Sequence, residues 1–456
     1  MLGDAPGRTI MTSTERGATQ GRNATPGVEL RPYPFPYRAA MTICSDIDGT
    51  TTLERFLSIQ QFLNTEAETG MGQGVGLEIG NSFFPLTPDG SFSYLSSGRE
   101  DRETLDTLIQ AGYVDALHSY GDGAATREDA LRSLEELGRA GSRLDVWIDH
   151  ARAPSNLGKD TSPGVGDVPG SPIYHADATL AAGIRFVWKG RGTSIVGQDV
   201  PYSPAGFLRL IDGRHPRHSA ANLAKELVKI ALAQLGSPRF AIHSGNRLLR
   251  VSPLADGQRV YEFNRCNSYW QGLSYGHDAW GLAYVLRSSA LEALVASRGV
   301  MVVYTHIGTG PETPPYLPPE TQSALRGLAA LYRSGTLYVT TTSRLLNYWV
   351  NRSYLMWDWH PQGDRTVRID IAGAADRVQG VRKPNAAALQ GITFYVPDRS
   401  RADVYLYGRP LPVLQRNPSD STGRESVSIP RIPLVYPLPS PHPATLGQSL
   451  WREAKP

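Results

Sequence analysis

Asp46-Ile47-Asp48-Gly49, inside the run MTICSDIDGTTTLERF (residues 41–56), sets two carboxylates two positions apart at the end of an apolar stretch. Such a pair can attack a phosphate, hold a divalent ion or cap a turn. On an extended chain alternate side chains share a face, so Asp46 and Asp48 look one way and Ile47 the other. Other apolar runs also end in residues capable of chemistry: Asn81 in GLEIGNSFF, His118 and Asp122 in LHSYGD, Asp149 and His150 in RLDVWIDH, His306 in VMVVYTHIG. One helical turn at 118–122 would bring His118 and Asp122 to the same side. A carboxylate, an imidazole and a further oxygen ligand suit a divalent transition metal, zinc above all, with open positions for water.

The elements that must position these residues repeat. From residue 38 to about 350, eight short apolar runs alternate with amphipathic stretches. TREDALRSLEELGRAG opens with Thr126 and Asp129 at capping-box spacing and stripes Ala130, Leu131, Leu134 and Leu137 along one face. SALEALVASRG repeats the device with Ser289 and Glu292, and PPETQSALRGLAALYRSG starts on prolines and stops at Gly335. About eight strand–helix units predict an α/β fold, a parallel barrel over 38–351, with an open doubly wound sheet as the competing architecture. In a parallel barrel every strand C-terminus opens onto one face, where catalytic groups gather. Residues 200–258, with the helix SAANLAKELVKIALAQL, read as an insertion. RTVRIDIAG, GITFYVPD and ADVYLYGRPLP then alternate with period two, predicting a small antiparallel β-sandwich over 352–415. Residues 1–37 read as a flexible tail, and the Pro- and Ser-rich residues 416–456 as an extended one.

The 456 residues carry a net charge of +3, too near neutral to suggest nucleic acid or an anionic membrane as partner. Cys44 and Cys266 sit in apolar runs and read as core. No apolar run approaches the ~20 residues of a membrane span. The first residues lack the basic-then-apolar pattern of a signal peptide, so the expected compartment is the cytoplasm. Oligomeric state is not legible.

The DIDGT stretch resembles the first motif of the haloacid dehalogenase superfamily. That resemblance implies a phosphatase, with Asp46 as nucleophile, Asp48 as acid/base and magnesium as cofactor. A second resemblance spans most of residues 38–350. The chain resembles a divergent NodB-homology polysaccharide deacetylase through Asp46-Ile47-Asp48-Gly49, His118-Ser119 with Asp122 four residues after the histidine, and the strand ending in His306. Asp122 stands where the family has a second histidine, and Arg152-Ala153-Pro154 matches its Arg-x-Pro element.

The second resemblance implies a distorted parallel (β/α)7-8 barrel and a metal-dependent carbohydrate hydrolase, an N-deacetylase of polysaccharide or amino sugar. Asp48, His118 and Asp122 would hold zinc, Asp46 would act as general base and His306 as acid. Arg152 would keep Asp46 charged. His150 and Asn156, outside the family pattern, are read as substrate contacts, together with Asn81. Tyr120 and Trp188, like Phe83 and Phe84, suit stacking against sugar rings. A barrel that binds carbohydrate without catalysis is the third reading.

Overall fold

The computed structural model describes residues 27–87, 92–362 and 366–437, so expectations for residues 1–26 and 438–456 fall outside the described residues. The chain divides into two compact units, one formed by residues 39–343 with 434–437, the other by 27–38 with 344–433.

The larger unit is mixed α/β, built on one curled sheet. Its strands are β1 (Ala39–Ser45), β2 (Gly80–Phe83), β3 (Val114–His118), β4 (Val146–Ile148), β5 (Phe186–Trp188), β6 (Gly192–Thr193), β7 (Leu249–Pro253), β8 (Arg259–Phe263), β9 (Arg265–Cys266), β10 (Val300–Thr305) and β11 (Leu337–Val339). Ten lie in the order β7-β8-β5-β4-β3-β2-β1-β10-β9-β6, and β11 pairs with β1. Only β7 with β8 is antiparallel in this sheet. Each of the eight apolar runs contributes a strand.

β1 is buried at all seven positions because it has β10 on one side and β2 and β11 on the other. A strand buried on both faces reads as a continuous apolar run rather than an alternating one, as AAMTICS does. The register Val300↔Ala40 through Thr305↔Ser45 brings the C-terminal ends of β1 and β10 level. With β2, β3, β4 and β5 also parallel, their carboxyl ends share one edge. The run 259–266 pairs with Phe186 and Val187 through Tyr261 and Glu262, and Cys266 faces both Thr193 and Val303.

Helices follow the strands for local reasons. α3 (Arg127–Arg139), after α1 (Leu53–Asn64) and α2 (Arg99–Gln110), starts on the Thr126–Asp129 capping box that the sequence predicts. α4 (Ala176–Ala181), α5 (Pro204–Leu208), α6 (Pro216–Gln234) and α7 (Ala279–Val285) precede α8 (Ser288–Ser297). α8 departs from expectation: its N-cap is Arg287, without a side-chain cap bond, and Ser289 lies inside the helix. α9 (Pro319–Arg333) begins at its proline, where a missing N–H costs nothing. The 200–258 insertion supplies α5, α6, a 3-10 turn and β7. Among the described residues no helix is long and apolar enough to cross a membrane, and both cysteines are buried and free.

The smaller unit has two sheets around a core that includes Leu355, Ile369, Phe394 and Val427. One runs Glu29–Leu30, Thr393–Tyr395, Ser426–Ser428, Gln415–Asn417, all antiparallel. Its first strand comes from the segment read as a tail, and Ser426–Ser428 from the second. The other sheet is not purely antiparallel, because Val367–Asp376 runs parallel to Ala402–Leu406.

Beneath β4, His175 is buried against Trp147 and Tyr120, with ring centroids at 5.2 and 4.7 Å. Its Nδ1 lies 2.8 Å from Thr179 Oγ1 and its Nε2 2.7 Å from the Ser155 carbonyl. Burial pushes its pKa down to about 4. The unfolded chain, with histidine near 6.5, therefore binds the extra proton first, and stability falls as pH drops through the window from about 6.5 to 4. Urea unfolding of the wild type is expected to weaken across that window, by up to about 1.4 kcal/mol per pH unit from this group. His175→Gln should show a shallower dependence; a slope equal to wild type would contradict the assignment.

Candidate functional site

The chain leaves β1 at Ser45, and the Asp46 N–H still donates to the Thr305 carbonyl at 2.9 Å. A turn follows, closed by Thr50 N to Ile47 O at 3.0 Å. Gly49 sits at φ +73° there, with Thr309 Oγ1 2.2 Å from where a Cβ would stand, so glycine alone fits. This geometry divides the two aspartates.

Asp46 points inward and is 2% exposed. Arg265 grips it with both prongs, Nη1 to Oδ2 and Nη2 to Oδ1, each at 2.9 Å. Ser82 Oγ adds a hydrogen bond to Oδ1 at 2.8 Å. Arg265 is itself buried, donates to the Cys44 carbonyl at 3.0 Å, and lies against the stacked rings of Trp188 and Tyr304, 4.5 and 4.2 Å from their centres. Burial alone would raise the Asp46 carboxyl, but Arg265, together with His118 and His306, outweighs it and holds the group well below the usual carboxylate range.

Asp48 is partly open to solvent and meets imidazoles instead. His306 Nε2 is 2.9 Å from Oδ2, and His150 Nε2 is 3.5 Å from Oδ1. Burial raises the Asp48 carboxyl, and the surrounding histidines, His118 first, bring it below its ordinary value. His118, fully inside, is driven down to about 4 by burial against the pull of Asp46 and Asp48, which leaves it neutral near pH 7. Among the described residues its Nδ1 has no hydrogen-bond partner, and its Nε2 stands 3.8 Å from Asp46 Oδ2. Phe84 stacks on the His118 ring (4.5 Å, 16°) and turns its edge to His150 (4.8 Å), fixing both rings from one apolar wall.

His150 is the residue whose role differs most from expectation. Its backbone is clamped by Asn156, which accepts from His150 N at 2.9 Å and donates to its carbonyl at 2.8 Å. Its Nδ1 lies 3.0 Å from Asp122 Oδ1. That carboxylate selects the tautomer with the proton on Nδ1 and turns the Nε2 lone pair inward.

Asp48, His118 and His150 each offer one ligand atom, and these three atoms lie within 4.8 Å of one another. Two imidazoles and a carboxylate are the donors a zinc-like ion takes. Asp122 is not in this set. Ser119 at φ +48° and Gly121 at φ +85° break the helical turn expected at 118–122, so Asp122 reaches His150 rather than joining His118.

Several candidates lie elsewhere. Arg152 is exposed and does not hold Asp46; Arg265 does. Asn81 is locked in a mutual amide pair with Gln60 and donates to the Tyr113 carbonyl, a core role. Asn156 orients His150 through the backbone. Tyr120 is buried, its hydroxyl 2.6 Å from Thr179 Oγ1. Trp188 backs the Arg265 guanidinium. Arg265 escaped the sequence reading, although an arginine in VYEFNRC was itself a signal, since a charge inside a buried strand requires a partner.

No known protein family matches the chain by sequence, and no curated protein matches it significantly. Among solved structures, the endo-β1,6-glucanase BT3312 is similar at a TM-score of 0.31 and 8% identity, over 90% of this chain and 93% of that one.

Replacing Arg265 with Gln strands a buried carboxylate, for which about 3–5 kcal/mol is the usual cost. Denaturant unfolding of Arg265→Gln is expected to show a loss of that order and Arg152→Ala essentially none. A loss below about 1 kcal/mol for Arg265→Gln would remove the buried pair as an anchor.

Proposed function

We propose that the chain is a metal-dependent hydrolase that cleaves an amide on a carbohydrate, of the polysaccharide deacetylase kind. The observation that carries this is the convergence of Asp48, His118 and His150, within 4.8 Å of one another, beside the locked Asp46. The resemblance through Asp46, Asp48, His118 and His306 supports the substrate class. The barrel that the resemblance implies is supported by the run 259–266, which pairs with β5 through its first half and with β10 through Cys266.

Asp48, His118 and His150 Nε2 would hold the ion, with Asp122 behind His150. A divalent cation held there supplies a more acidic water and a polarised carbonyl oxygen. Asp46 Oδ2 accepts a hydrogen bond from Arg265, and no second donor reaches it among the described residues. It aligns the attacking water and accepts its proton only briefly, because Arg265 keeps its proton affinity low. His306 Nε2 stands 4.0 Å from Asp46 Oδ2 and 2.9 Å from Asp48 Oδ2, in position to hand a proton to the departing amine. The water oxygen bonds to the acyl carbon, the carbon–nitrogen bond breaks, and amine and carboxylate leave.

The phosphatase reading asks Asp46 to be a free nucleophile. Arg265 neutralises its charge through both oxygens, which weakens it as an attacking group. Magnesium, which favours oxygen ligands, is also a poor match for two imidazoles.

Elemental analysis and acetate release from acetylated glycans test the proposal together. Asp48→Ala and His150→Ala should lose bound zinc. Asp122→Ala should weaken metal affinity by about 10–100-fold, as removal of an outer partner does. Asp46→Asn should keep the metal and lose at least about 100-fold in turnover. Unchanged metal content and activity across these variants would overturn the proposal, as would phosphate release from phosphoesters in place of acetate release.

A further inference from the structure

A second concavity, about 570 Å3 in volume, lies where residues 206–214 of the insertion face the corner between α7 and α8. Arg209, Arg214, Arg287, Asp212, Tyr284 and Ser289 line its polar side. None belongs to the cluster around Asp48.

Arg287 is the unusual member. Its Nη1 donates to Ser268 O at 3.3 Å, Ser268 Oγ at 3.2 Å and Tyr284 O at 2.9 Å, and its guanidinium carbon lies 4.2 Å from the Tyr284 ring centre. Among the described residues its Nε and Nη2 have no acceptor and no carboxylate forms an ion pair with it. Burial draws its pKa below the ordinary arginine value. A guanidinium half withdrawn from water, with spare donors facing a cavity, is stabilised by an anion.

The surroundings have the same sign. Arg209 and Arg214 are exposed and form no ion pair among the described residues. The lining's acid, Asp212, is already engaged by the Tyr284 hydroxyl on Oδ2 and the Arg214 N–H on Oδ1, both at 2.8 Å. Three arginines against one aspartate leave the cavity at +2. The first turn of α8 adds to this, since its earliest N–H groups have no helical acceptor. Val196, Leu210 and Ala290 add apolar surface to the lining of the cavity. Its volume lies in the range of about 300–1,000 Å3 common for small-molecule sites.

We propose that this cavity binds a small phosphorylated organic molecule. Arg287, Arg209 and Arg214 grip the phosphate, and the carbon skeleton lies on Val196, Leu210 and Ala290. The site is separate from the proposed hydrolytic centre and does not depend on that reading.

Isothermal titration of the full chain with phenyl phosphate and with inorganic phosphate, against chloride at matched ionic strength, tests it. Saturable binding is expected, tighter for phenyl phosphate because of the apolar lining residues. Arg287→Gln should weaken it by about tenfold or more, equivalent to about 1.4 kcal/mol. Because Arg287 also holds Ser268 and Tyr284 carbonyls, the double variant Arg209→Gln/Arg214→Gln, which alters only exposed side chains, gives the independent reading and should weaken binding similarly. Asp48→Ala should bind phenyl phosphate as wild type does. The proposal is overturned by binding no stronger than chloride accounts for, by wild-type affinity in the arginine variants, or by loss of binding in Asp48→Ala.

Discussion

The arrangement at the strand ends depends on the buried pair between Arg265 and Asp46. Two charges removed from water at this depth are costly unless their geometry is close to ideal. Here each guanidinium prong meets its own carboxylate oxygen at 2.9 Å, Ser82 adds a third hydrogen bond, and two stacked aromatic rings lie against the cation. The pair ties β1 to β9, and Ser82 brings in β2, so three strands far apart in sequence are fixed at one edge.

That anchoring separates two carboxylates only two residues apart. Asp46 is paired with Arg265 and stays ionised; Asp48, inside the turn that Gly49 shapes, keeps oxygens for imidazoles. Environment, not residue type, sets such a division. The same burial leaves His118 uncharged, the state in which an imidazole lends its lone pair to a cation or accepts a hydrogen bond. Phe84 holds its ring from one side, while Asp122 sets the tautomer of His150 from behind.

Much of this is legible in the amino-acid order. Eight apolar runs mark eight contributions to the sheet, and their polar ends mark the edge at which Asp46, Asp48, His118, His150 and His306 meet. What escapes is what depends on distance or on backbone handedness. Reading Asp122 as a partner for His118 assumes a helical turn, which positive φ angles at Ser119 and Gly121 forbid. Assigning Arg152 to Asp46 favours proximity to a familiar motif, whereas the actual partner lies 219 positions away in sequence. Asn81, Tyr120 and Asn156 carry polar atoms that look functional until their hydrogen bonds are traced to Gln60, Thr179 and the His150 backbone. In the smaller unit, Glu29–Leu30 looks like a tail because a two-residue strand carries no periodicity; its pairing with Phe394 and Tyr395 supplies the order.

The central claim is that one carboxylate and two imidazoles, drawn from three different strand ends, form a single cation site. Zinc K-edge X-ray absorption on protein loaded with one equivalent tests it most directly. The account predicts two imidazole nitrogens and oxygen donors at about 2.0–2.2 Å, with one imidazole lost in His150→Ala. A shell made only of oxygens, or one unchanged in His150→Ala, would contradict it.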